Sequence, residues 1–214
     1  MFQGSFVSLS IGFVAVGISL GIGIVLGGLA GFYGHVKLGF LTVDTLIMRF
    51  TDAMMCFPRF FLILTAVALL PPSIYTIMMI IGLFGWMGTA RFVRAEFFSI
   101  REQDYVVAAK ALGIPEGRII FRHMVPNALA PVFVSATIGV ASAILTESGL
   151  SFLGFGVPPP YATWGNILSD GKGFIFDAPW LFFIPGLAIF FVVLAFNLVG
   201  EGLREALNPK LRRR

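Results

Sequence analysis

From Phe6 to Phe32 the chain runs 27 residues without a lysine, arginine, aspartate or glutamate, and four more long apolar runs follow: Ala53–Leu70, Ile74–Phe92, Ala128–Thr146 and Trp180–Val199. A helix needs about 20 apolar residues to cross a hydrocarbon core of about 30 Å, so these runs qualify or come close. Backbone N–H and C=O groups cannot go unpaired in lipid, so a run that crosses must be helical. The apolar residues are continuous rather than alternating, which argues against a β-barrel. The expected fold is all-α: one polytopic helix bundle over residues 1–214, with about five transmembrane helices.

Composition agrees. Of the 214 residues 57% are hydrophobic and 12% charged, with a mean hydropathy of +0.93. A soluble domain carries about a quarter charged residues. The single cysteine, Cys56, excludes an intrachain disulfide and a cysteine-cluster metal site. His35 and His123 stand 88 positions apart, and no Ser/His, paired-Asp or HExxH arrangement occurs in the spans. No G-x-x-x-x-G-K-[ST] loop is present, since Gly171-Lys172 lacks that spacing, so the chain does not hydrolyse ATP by that route. The expectation is a non-enzyme that binds no cofactor or metal directly. The net charge of +4 lies in short segments between apolar runs, a distribution that speaks for membrane orientation and against nucleic acid.

Sidedness follows from those charges. Segments 33–50, 91–123 and 200–214 hold 2, 6 and 5 of the 15 lysines and arginines, whereas 147–179 holds only Lys172 and Arg59 lies within a span. By the positive-inside rule the first three segments are cytoplasmic, with the Arg212-Arg213-Arg214 tail inside and the N-terminus outside. The first run is much longer than the ~7–15-residue core of a cleavable signal. An external N-terminus without such a signal is awkward for insertion, and a preceding helix absent from this sequence would account for it.

The longest polar interruption, within loop 101–126, reads DYVVAAKALGIPEGRIIFRHMVP from Asp104 to Pro126. Gln103-Asp104 offers a helix N-cap. Tyr105, Ala108, Ala109 and Leu112 recur at helical spacing and make one narrow apolar face. Gly113 suits a left-handed C-cap, Pro115 the first turn of a second short helix through Ile119 and Phe121, and Pro126-Asn127 the return to the membrane. Such a helix either rests on anionic lipid or docks into a partner. The small apolar face, the two alanines and the Gly/Pro punctuation favour docking.

That loop resembles the EAA loop of ABC importer permeases, whose pattern is Glu-Ala-Ala, three residues, Gly, nine residues, Ile, one residue, Leu-Pro. The chain matches at Ala108, Ala109, Gly113 and Pro126, has Val125 for Leu, and departs at Val107 for Glu and His123 for Ile. Residues 89–126, 147–165 (ESGLSFLGFGVPPPYATWG) and 178–211 are similar to the C-type permease subunit of dipeptide, oligopeptide and nickel importers. The resemblance implies the type I importer permease fold, with the loop as a coupling helix. Implied partners are a homologous second permease subunit, two cytoplasmic ATPases that use ATP-Mg, and an extracytoplasmic solute-binding protein, all around a lipid-embedded bundle. It implies docking roles for Asp104, Tyr105, Ala108, Ala109, Leu112, Gly113 and Pro126. Family members usually have six helices, and this sequence resembles the last five. The competing reading, a stand-alone channel or secondary transporter, lacks the internal repeat such carriers often show.

Two ionisable residues in or at the ends of the spans are candidates for the pathway or a gate, Arg59 and Glu147. Asp52 lies seven residues before Arg59, about two turns on the same face, so Arg59 is expected to snorkel towards water or Asp52. Glu147 fits pore lining or helix-end solvation equally. Glu96 is expected to pair with Arg91 or Arg94. The glycines Gly17-xxx-Gly21 and Gly23-xxx-Gly27-xxx-Gly31 put small residues on helix faces, a pattern of close bundle packing. The external segment 147–179 is expected to fold back, with a short helix near Trp164–Leu168, either capping the bundle or facing a partner.

Overall fold

Helix α1 occupies Phe2–Phe32, and its 31 residues span about 46 Å, more than a bilayer core requires. The structure is a computed structural model that describes residues 1–207; the Arg212-Arg213-Arg214 tail lies outside the described residues. α1 is the central post of the bundle. Its Gly23, Gly27 and Gly31 recur every fourth residue, so they share one face. That face meets Thr89, Ala90, Val93 and Phe97 so closely that an added Cβ at any of the three glycines would overlap them. The backbones approach because these side chains are missing, which is how apolar helices gain dispersion contact where no hydrophobic effect drives them together.

After α1 a two-residue antiparallel ladder pairs β1, Lys37–Leu38, with β2, Leu41–Thr42, around Gly39 at φ +67°. Thr42 then caps α2, Val43–Met55, its Oγ1 accepting from the Thr45 N–H at 3.2 Å. The expected span Ala53–Leu70 is not one helix. α2 stops at Met55, α3 begins at Arg59 and runs to Leu69, and the two meet at 81°. Pro58 is the cause: it has no N–H to donate to the preceding turn and pushes Phe57 out of the helical region. α2 is tied to α5 by ion pairs, Asp44 with Arg94 and Asp52 with Arg91. Among the described residues no ion pair involves Glu96, so its expected pairing with Arg91 or Arg94 gives way to these longer-range partners.

α4, Ile74–Leu83, and α5, Trp86–Arg101, form a second bent pair, at 40°. Two short elements follow, α6 at Asp104–Ala111 and α7 at Glu116–Ile119, and a π-helical turn, Ile120–Met124, feeds straight into α8, Val125–Phe152. α9, Trp164–Gly171, lies where a short helix was expected in the 147–179 segment, and α10, Trp180–Leu207, ends the described chain. Among the described residues three helices are long and apolar enough to cross a membrane, and the count is five if each bent pair makes one crossing.

The segment before α9 folds back onto the bundle. The Trp164 N–H donates to Ser8 Oγ of α1 at 3.1 Å, and Asn166 Nδ2 donates to the Val157 carbonyl at 2.7 Å. These bonds satisfy polar groups at the helix ends, as a cap must. The buried side chains form several clusters. One, around Ile11, Ile63, Ile77 and Leu150, lies at the end nearest α9. Another, around Phe32, Phe97, Val106, Ile119 and Met124, lies at the opposite end and holds α6 in place.

Candidate functional site

α6 begins at Asp104, with Gln103 as N-cap and no side-chain cap bond, so Asp104 serves as an acidic first-turn residue rather than as the cap. A carboxylate there interacts favourably with the helix dipole. At the other end Gly113 is left-handed, at φ +71°. Its N–H donates to the Lys110 carbonyl at 3.0 Å, and the Ile114 N–H donates to the Ala109 carbonyl at 3.1 Å. That pair of bonds is a Schellman motif, and it ends the helix sharply.

The expected single apolar face divides into two. Val106 and Ala109, 0% and 5% exposed, point into the cluster with Phe97, Ile119 and Met124. Tyr105, Ala108 and Leu112 point outward, with Leu112 at 80% exposure. Ala109 therefore belongs to the anchoring face, and the exposed face consists of Tyr105, Ala108 and Leu112, flanked by Asp104 and Val107. The division was hard to read because both stripes are apolar at i, i+3 spacing. Val106, the anchor missed in the sequence, differed only in having more bulk than an alanine. Val107, which replaces the Glu of the pattern, is exposed, so the departure changes the surface and leaves the packing alone.

α6 is also fastened at its flanks. Lys110 Nζ sits 5.0 Å from the centre of the Phe32 ring, and the rings of Tyr105 and His123 lie 6.3 Å apart. Burial and the adjacent Glu116 carboxylate hold the Tyr33 phenol, at the end of α1, above its ordinary range. Pro126 occupies the first turn of α8, where a missing N–H costs least. The Val125 N–H reaches back to the Ile120 carbonyl, and Asn127 Nδ2 donates to the His123 carbonyl at 2.5 Å. The longer π-type loop absorbs the register change that Pro126 imposes. α7, the π-turn and α8 thus follow one another without an intervening loop.

The other two candidates lie elsewhere. Arg59 does not meet Asp52: the 81° break turns α2 away, and Asp52 bonds Arg91 instead. Arg59 lines a cavity of about 350 Å³ between α1, α4, α5 and α8, and its buried Nε has no hydrogen-bond partner. Glu147 is fully buried, so helix-end solvation does not describe it. Its Oε1 accepts from Ser151 Oγ at 2.7 Å, while Oε2 has no partner. An added Cβ at Gly165 of α9 would lie 2.7 Å from Ser148 Cα, which places Glu147 beside a close contact between α8 and α9.

A bundle of apolar helices long enough to cross a membrane, with a short, partly exposed helix at one end, defines a multi-pass membrane component. The chain belongs to the family described as "Binding-protein-dependent transport system inner membrane component", which matches residues 23–213. It is 44% identical over 209 residues to the dipeptide transport system permease protein DppC of Alkalihalophilus pseudofirmus, covering 98% of this chain and 67% of that one. It is 38% identical over 210 residues to the oligopeptide transport system permease protein OppC of Bacillus subtilis, with the same coverage. The fold matches a chain of the MetNI methionine ABC transporter in an inward-facing conformation, with a TM-score of 0.73 at 17% identity over 97% of this chain and 96% of that one. An amino acid ABC transporter aligns with a TM-score of 0.66 at 14% identity, covering 96% and 93%. The resemblance read from the loop and its two companion blocks therefore extends over almost the whole chain. The family sets aside the stand-alone channel or secondary carrier.

Proposed function

We propose that this chain forms half of the translocation pathway of an ATP-driven importer for peptides or related small solutes, with α6 as the helix by which ATPase subunits move it. The observation that carries this reading is the two-sided α6: Val106 and Ala109 fix it to the bundle while Tyr105, Ala108 and Leu112 face out. The relatives named for dipeptide and oligopeptide transport supply the substrate class. A homologous permease completes the pathway, two cytoplasmic ATPases use ATP-Mg, and a solute-binding protein delivers cargo from outside. The α6 end and the C-terminus are cytoplasmic, as the positive-inside rule directs.

Mechanically, α6 is a lever because it cannot move alone. It is packed under α5 and joined to α8 through α7 and the π-turn, so a displacement of its outer face carries those helices with it as a rigid body. Closure of the ATPases would thereby switch the bundle between inward-open and outward-open arrangements.

The test uses the two alanines against each other. Ala108→Trp should leave a membrane-inserted, folded chain that no longer co-purifies with its ATPases and no longer supports uptake. Ala109→Trp should instead reduce the amount of folded chain, since the new ring meets the Phe97 cluster. If the Ala108→Trp transporter assembles and imports normally, α6 is not the docking element. Sidedness is tested separately by thiol labelling from outside whole cells, with Gln3→Cys in a Cys56→Ser background.

A further inference from the structure

We infer that Arg59 recognises the carboxylate of the solute in transit, an inference that rests on the importer reading above. The break at Cys56–Pro58 places Arg59 at the first turn of α3, facing the cavity of about 350 Å³. Ser19, Thr89, Ser135 and Ser142 bring hydroxyls to the same cavity, Gly88 leaves its wall open, and Arg59 is the only charged residue lining it. Among the described residues Arg59 makes no ion pair, and its buried Nε has no hydrogen-bond partner. The one nearby acid in sequence, Asp52, is held by Arg91 on the far side of the bend.

An isolated cation amid apolar helices is costly, and the usual remedy is a counter-charge. Nothing lining this cavity supplies one, so the chemistry asks for an anion from outside the chain. Guanidinium presents a planar fork of N–H donors that matches a carboxylate in two parallel bonds, and the hydroxyls around it can donate to the same oxygens. A peptide with a free C-terminus carries that group. A neutral or cationic solute would meet an unbalanced positive charge, so the site favours carboxylate-bearing cargo.

The experiment uses the whole transporter with its ATPases, in proteoliposomes supplied with saturating binding protein. Uptake of one peptide is compared as free acid and as C-terminal amide, in wild type, Arg59→Gln and Arg59→Lys. A charge-assisted bond lost from the cavity predicts that Arg59→Gln lowers free-acid uptake about tenfold or more. Amide uptake should stay within about twofold of its starting value, because no such bond is lost from it. Arg59→Lys, which keeps charge but loses the fork, should recover part of the acid uptake. Co-purification with the ATPases and the second permease should be unchanged in Arg59→Gln.

Equal losses for acid and amide, or a loss of assembly, overturn the inference and assign Arg59 to an acidic group of the second permease. No loss for either peptide also overturns it. A wild-type transporter that imports neither peptide sinks the importer reading itself, a result distinct from both.

Discussion

α1 carries two glycine stripes with the same spacing and opposite surroundings. Gly23, Gly27 and Gly31 are buried against α5, where an added methyl group would collide with Thr89, the Ala90 carbonyl or Phe97. Gly17 and Gly21 have nothing within 4 Å of where a Cβ would stand. The sequence pattern alone treats the two alike, since small-xxx-small marks a face on which a helix can approach and does not say whether one does. The neighbour decides. α5 offers Ala90 opposite Gly27, so two small residues meet and the backbones touch.

The largest effect expected from this contrast is at Gly27. A leucine there must displace the Ala90 carbonyl and Val93, which are backbone and β-branched atoms with little freedom to yield. Gly27→Leu should cost at least the ~1–3 kcal/mol of ordinary overpacking and leave little folded chain. The yield of monodisperse detergent-solubilised protein measures this, and a normal yield would mean that α1 and α5 are not in contact.

Gly31→Ala is the milder form. The new methyl would stand 2.5 Å from Phe97 Cβ and 3.0 Å from the Arg94 carbonyl, an overlap that the helices must part to relieve. A loss of about 1–2 kcal/mol, read by thermal unfolding in detergent, is expected. Arg94 also holds Asp44 of α2, so a shift here should loosen that ion pair as well.

A third kind of glycine separates backbone geometry from packing. Gly113 has open space around it and a φ of +71°. Gly113→Ala meets no atom, yet places a Cβ in the left-handed region at a cost of about 1 kcal/mol. The strain falls on the Schellman turn, so local exchange of the Ile114 amide should quicken before global stability changes much.

What could be read from the sequence follows this same division. α6, its glycine cap and the return at Pro126 were legible because they depend on local chemistry, namely a helical repeat, a left-handed position and a proline in a first turn. The break after Met55 was not read, although Pro58 announced it, because hydropathy averages across a turn made of apolar residues. Missing it led to the expectation of an Asp52–Arg59 contact, which needs two turns of unbroken helix. The pairing of Arg91 and Arg94 with α2 rather than with Glu96 depends on how α2 folds across α5, and no spacing within α5 encodes that. The split between Ala108 and Ala109 is similarly tertiary: one alanine meets Phe97's cluster, and its neighbour, a hundred degrees around the helix, does not.

The smallest effect belongs to the bare stripe and has the opposite sign. Gly21 is exposed inside a long helix, with no atom near its missing side chain. Alanine loses less backbone freedom on folding than glycine, so Gly21→Ala should raise the stability of the chain by up to about 1 kcal/mol. Thermal unfolding of the variant beside Gly31→Ala, in the same detergent, gives the sign directly. A rise at position 21 with a fall at position 31 requires that α1 present Gly31, and not Gly21, to α5. A fall at both would mean that α1 is rotated so that the two stripes share the burden of packing, and the contrast between them would be lost.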